Sequence, residues 1–140
     1  MLDHAGSVRI GQEFAGLAPT AAWQRDESLT EGCDYVREGA LPRSVAMMVL
    51  DGRIVRFDIS AAGAIGPYGI RVGDSEAVVR SRLPAGYSVE PHFYGGRDDH
   101  YLTWRDPRHG LAVRYETGEG HVTSMYWGRW GAVQFVEGCL

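Results

Sequence analysis

Four of the five histidines, His92, His100, His109 and His121, fall in the second half of the chain, and His100 directly follows Asp98 and Asp99. Imidazole and carboxylate groups are the usual zinc ligands and proton carriers, so this set could hold a metal or run acid–base chemistry. The spacing argues against a metal. Each histidine sits in or beside a turn signal, and no pair repeats a ligand pattern such as two histidines four apart on a helix. What remains is a hydrolase-type alternative built from His100 with Asp98 or Asp99. Nucleophiles are as sparse, because no Gly-x-Ser-x-Gly elbow occurs and neither cysteine has a base close in sequence. All 14 cationic residues are Arg, which removes Schiff-base lysine chemistry and any phosphate loop ending in Gly-Lys. We expect no metal, no cofactor and no catalytic residues in the leading reading.

Aromatic residues give a better lead. Ten of the fifteen follow residue 86. Strand alternation sets Met125 and Trp127 on one face and Tyr126 on the other. A sheet covered by one short helix leaves its second face open, so some of these rings should reach solvent. Exposed Trp and Tyr with neighbouring Arg are frequent anchors of protein contacts. The expected binding set is therefore Trp104, Tyr126 and Trp130 with Arg105, Arg114 and Arg129. The bland alternative is that the rings simply fill the core.

The elements that must position these residues are legible from pattern. Val45 to Leu50 is a continuous apolar run, as a strand buried on both faces would be. Arg53 to Ile59 alternates, with Val55, Phe57 and Ile59 on one side. Asp51-Gly52 between them signals a two-residue hairpin turn, and Glu119-Gly120 does the same between strands over 111–117 and 122–127. Further strands are expected over 101–105 and 133–136, with 107–110 as a connecting turn. Asp74 can cap a helix that carries Glu76 in its first turn, places Val79 and Leu83 on one face, and stops at Pro84. Residues 12–18, with Gly16 inside and Pro19 after, predict a weaker helix.

The chain also reads as duplicated. Val8-Arg9-Ile10-Gly11 returns as Ile70-Arg71-Val72-Gly73, and Tyr35-Val36 as Tyr101-Leu102. Residues 50–57 return as 118–125. The fold class expected is α+β, made of two tandem units, each a short helix packed on an antiparallel sheet. The first unit spans 1–66 and the second 67–140, with 61–67 as the junction, and together they form one compact domain.

Composition bounds the setting. An apolar fraction of 44% and a charged fraction of 23% are those of a folded globular chain. No apolar run approaches the roughly 20 residues of a membrane helix, so no transmembrane segment is expected. A net charge of −4 gives no pull toward nucleic acid. Cys33 and Cys139, in matching Glu-Gly-Cys contexts, allow one disulfide, which the chain-entropy model credits with roughly 4.7 kcal/mol. Residues 1–7 do not read as a signal peptide. The chain is then either cytoplasmic or the mature part of an exported protein, and a disulfide favours the periplasm or the outside.

Ile70-Arg71-Val72-Gly73-Asp74-Ser75-Glu76-Ala77-Val78-Val79 resembles the I-x-x-G-x-[ST]-x-x-x-V signature that opens SmpA/OmlA-like domains. Those are small lipoproteins of the outer-membrane assembly machinery. β-Lactamase-inhibitor-protein-like domains share the helix-plus-sheet unit in tandem duplication. Val8 to Leu17 matches more loosely, with Gln12-Glu13 in place of the x-[ST] pair, and the N-terminal lipobox cysteine of the lipoproteins is missing. The whole chain is also similar to uncharacterised exported proteobacterial proteins. The resemblance carries no function with it. The leading reading, a non-catalytic binding module of the cell envelope with another protein or peptide as partner, rests on the aromatic, Arg-lined sheet face of the second unit. A structural envelope component with no discrete ligand is the third reading.

Overall fold

Backbone pairing starts with a two-residue ladder, β1 (His4–Ala5) against β2 (Val8–Arg9). The computed structural model describes residues 2–14, 23–26, 33–38 and 44–135. A first meander follows: β3 (Trp23–Asp26), β4 (Cys33–Glu38), β5 (Val45–Leu50) and β6 (Arg53–Ile59). A 3-10 turn at Pro67–Gly69 and the helix α1 (Glu76–Arg82) lead into a second one. That meander is β7 (Ser88–Pro91), β8 (His100–Asp106), β9 (Leu111–Gly118) and β10 (His121–Arg129), and α2 (Trp130–Val133) follows it. The eight longer strands make one antiparallel sheet in the order β3-β4-β5-β6-β10-β9-β8-β7. The architecture is α+β.

The hairpin signals sit where expected. Asp51 and Glu119 both adopt positive φ, at 52°, and each is followed by a positive-φ glycine, the geometry that matches the twist of paired strands. The helix at 76–82 also forms, but its cap is Ser75, whose side chain accepts the Val78 N–H. Asp74 instead accepts the Arg71 N–H at 2.8 Å and closes the turn before the helix. Leu83 ends it in extended conformation, as the residue before proline prefers.

Two expected elements are corrected. Gln12 and Glu13 are not helical and Phe14 stands in 3-10 conformation, because backbone groups here serve the sheet: Gln12 O accepts from Ile54 N–H, Glu13 bridges to Arg53 and Phe14 N–H donates to Gly52 O. Residues 15–18 lie outside the described ones. The strand expected over 133–136 is replaced by α2. The β9–β10 ladder ends at Arg129 opposite Leu111, and Trp130 N–H turns back to Gly110 O. The chain then folds onto the sheet, with Ala132 packed by Met48 and Cys33, and Val133 by Ala112 and Tyr126. Val136 is not among the described residues.

Register divides the sheet into two unlike faces. One carries Val36, Met47, Phe57, Trp127, Val113 and Leu102 in successive strands. It is covered by Leu2, Ala5 and Val8 of the β1–β2 hairpin, by Ile70 and Val72, and by Val79 and Leu83 of α1. Removing such side chains from water stabilises the fold by about 1.5–3 kcal/mol each. The other face carries Arg56, Asp58, Tyr126, Arg114, Thr103 and Glu116. No helix among the described residues is long and apolar enough to cross a membrane.

The expected Cys33–Cys139 disulfide falls on Cys139, which lies outside the described residues, and Cys33 is not a free thiol. The described halves are joined by backbone pairing at the centre of the sheet, where Ile59, Asp58, Phe57 and Arg56 face Met125, Tyr126, Trp127 and Gly128. Gly128 is required there. Its φ is 145° and an added Cβ would lie 2.3 Å from the Val55 carbonyl oxygen.

Candidate functional site

The polar face is built around a buried cation. Arg56, 2% exposed, sits opposite Gly128 in the central ladder. Its Nε and Nη2 donate to the two Asp58 oxygens at 2.8 and 2.6 Å, and its Nη1 donates to the carbonyls of Ala132 and Phe135. Burial works against the guanidinium charge, and Asp58 outweighs it, so the group is held charged. Tyr35 donates its hydroxyl to Asp58 at 3.2 Å. The Arg56 guanidinium also lies 3.7 Å over the Tyr126 ring, a desolvated cation–π contact. This part of the face is a buried layer under α2 in which the charged groups are paired.

Toward the far edge the same face holds a loop in place. The His92 ring stacks on Tyr101 at 4.5 Å. Its Nε2 lies 2.6 Å from Glu116, and its Nδ1 accepts the Tyr94 N–H at 3.1 Å. With Nδ1 accepting, the proton belongs on Nε2, where it is donated to the Glu116 carboxylate. Phe93 N–H donates to the Tyr101 hydroxyl at 3.1 Å. Asp99 accepts from Gly96 N–H and Glu119 N–H at 2.7 and 2.9 Å, and His92 N–H reaches Asp99 O. An added Cβ at Gly95 would meet both Asp99 and His92 side chains within 3 Å. The loop at 92–99 is therefore tightly clamped at its base, and what it presents is apolar. Phe93 is 75% and Tyr94 62% exposed, with rings edge to face at 4.9 Å.

The six residues expected to form one binding face divide between the two sides of the sheet. Tyr126, Arg114, Arg105 and Trp130 share the polar side. Trp104 packs against the apolar core and edge-on to Tyr68, and alternation along β10 puts Arg129 on that side too. Tyr126 and Arg114 are buried. Arg114 donates its Nε to Thr103 and lies over the Tyr101 ring. Burial pushes the Tyr126 hydroxyl well above its ordinary range, with Glu116 adding to the shift, and it has no hydrogen-bond partner among the described residues. Only Arg105 and Trp130 meet as an accessible pair, the guanidinium 4.6 Å over the indole.

The acid–base alternative comes apart in the same way. The Asp99 carboxylate is spent on backbone N–H groups, which hold it below the usual range. His100 turns away from it to Glu76 of α1, with Nδ1 at 2.7 Å from the carboxylate. Thr117 also donates to that oxygen, and Arg80 takes the other. The arrangement anchors α1 to the sheet. Among the described residues, no three His, Cys, Asp or Glu side chains converge as a metal group would require.

Phe93 and Tyr94 were visible in the sequence as aromatics but were not singled out. The signal was there: two adjacent rings directly before Gly95-Gly96, in a segment that reads as a loop tip, cannot both be buried. No family model matches the chain, and neither the curated proteins nor the solved structures compared with it include a match.

Proposed function

We propose that the chain is a non-catalytic protein-binding module of the cell envelope, periplasmic or secreted, whose contact point is the Phe93–Tyr94 pair. The observation that carries this reading is the exposure of two edge-to-face rings on a loop whose base is fixed by the His92, Asp99 and Tyr101 hydrogen bonds. Aromatic anchors held in advance lose little entropy on binding, which is what interface hot spots require. Arg105 and Trp130 offer a second, flatter patch on the same face of the sheet.

The resemblance to SmpA/OmlA-like and β-lactamase-inhibitor-protein-like domains belongs to this reading, as does tandem duplication over 1–66 and 67–140. The sheet order supports the duplication: each meander runs from an edge strand inward, and both end on the central pair, β6 and β10. Tyr35 and Tyr101, matched in the sequence repeat, both lie in the second strand of their meander.

The test is retention from an envelope extract by immobilised wild type and by the Phe93→Ala, Tyr94→Ala double variant, matched by circular dichroism. Proteins retained by the wild type and lost from the variant are expected. Identical sets on both columns, or none on either, overturn the reading.

A further inference from the structure

Where the β8–β9 turn meets the segment at residues 67–69, the molecule has a cavity of about 200 Å³ with a distinct lining. Tyr68 and Trp104 form two of its walls, their rings at 86° and 6.1 Å apart. Asp3, Asp106 and His109 complete the rim, and Leu111 lies at its apolar side. It is distinct from the Phe93–Tyr94 loop, which enters β8 at its other end.

We propose that this cavity is a binding site for a small organic cation of the methylated-ammonium class. Size and chemistry select that class. Drug-sized ligands occupy roughly 300–1,000 Å³, so this space suits a head group rather than a whole cofactor. Asp106 accepts from His109 Nδ1 at 2.7 Å and from Arg108 N–H at 3.1 Å, and no arginine pairs with it among the described residues. Asp3 is already held by neighbouring positive groups, His4 and Arg9 among them, so Asp106 is the carboxylate that meets the ligand. An anion would face two carboxylates there. A neutral apolar ligand would strip water from them without return. An inorganic ion would find no cluster of ligating side chains among the described residues. A methylated ammonium satisfies both halves of the lining, since its charge suits the carboxylates and its methyl groups suit the ring faces.

The backbone at Tyr68 gives independent support. Its φ of 62° is in the left-handed region, which a bulky aromatic seldom enters. The conformation is held from both sides, with the Tyr115 hydroxyl donating to Pro67 O at 2.8 Å and Arg82 donating to Gly69 O at 2.7 Å. That backbone geometry is what sets the Tyr68 ring square to Trp104. Strain maintained in this way is characteristic of ligand clamps.

Choline and its neutral isostere 3,3-dimethyl-1-butanol, titrated separately by calorimetry, form the test. Saturable choline binding is expected, with the isostere about tenfold weaker or more. Asp106→Asn should weaken choline by a similar factor, and Trp104→Leu should abolish binding, both with unchanged circular dichroism. Co-sedimentation with phosphatidylcholine vesicles identifies a lipid head group as the source, and choline binding without sedimentation identifies a soluble one; either supports the site. Absence of saturable choline binding to the wild type, or equal binding of choline and the isostere, overturns it.

Discussion

One imidazole joins the sheet to the loop that rises from it. His92 gives its Nε2 proton to Glu116 of β9 and takes the Tyr94 N–H on Nδ1, so both nitrogens are committed. Replacing His92 with Ala should free the loop and lower stability by about 1–3 kcal/mol. Amide hydrogen exchange is the measurement. Protection at Phe93 and Tyr94 should fall far more than in β9 and β10, and unchanged protection would show that the backbone alone fixes the loop.

Arg56 sits on the same face with four hydrogen bonds and a ring beneath it. Arg56→Ala leaves the partly exposed Asp58 carboxylate without the guanidinium, though still hydrogen-bonded by Tyr35, a change that costs about 3 kcal/mol, the lower end for a broken buried pair. Arg56→Ala combined with Asp58→Ala should cost clearly less than the two single losses added together. Urea unfolding of the three variants checks this, and simple additivity would mean the pair does not act as a unit.

Tyr126→Phe should act in the opposite direction. The hydroxyl is buried with no partner among the described residues, and such a group costs about 1–3 kcal/mol relative to a satisfied one. Removing it while keeping the ring under Arg56 should raise the melting temperature. A lower value would indicate that the hydroxyl is holding something in place.

Acid should weaken the attachment of α1. Burial pushes the Glu76 carboxyl up, but His100, Arg80 and Thr117 outweigh it, and its pKa in the folded protein is lowered. An unfolded glutamate titrates near 4.3. Because the folded value lies lower, this stabilisation is complete above the unfolded value and is lost as pH falls through the folded one. Glu76→Gln should therefore flatten, though not abolish, the acid limb of a stability profile, since Asp99 and Asp106 are shifted the same way. An unchanged slope from pH 5 downward would count against it.

Much of the sheet could be read from residue pattern, because Val45–Leu50, Arg53–Ile59 and the strands about Glu119-Gly120 carry their own alternation and turn chemistry. The misread segments are those whose partners are remote in sequence. Gln12 and Glu13 left the expected helix because Ile54 and Gly52 claim backbone groups of this stretch, and 133 joined a helix because Trp130 N–H turns back to Gly110 O. The candidate site was hidden for the same reason. Alternation correctly separates Tyr126 from Trp127, but it cannot say that α2 covers the Tyr126 side. Nor can it foresee that Tyr68 crosses to Trp104.

The central pairing of β6 with β10 also has a kinetic meaning. Every other ladder of the large sheet joins strands adjacent in the chain, and such hairpins close short loops. Ile59 and Met125 come together only after most of the second half has been traversed, and closing so long a loop carries the larger entropic cost. Folding should therefore wait at this seam, with each meander formed and its central strand still bare. During that interval the exposed edge of β6 is open to β10 of another molecule as well as to its own. The same register that completes one chain would then serve an exchanged dimer, so refolding at high protein concentration is where such a species should accumulate.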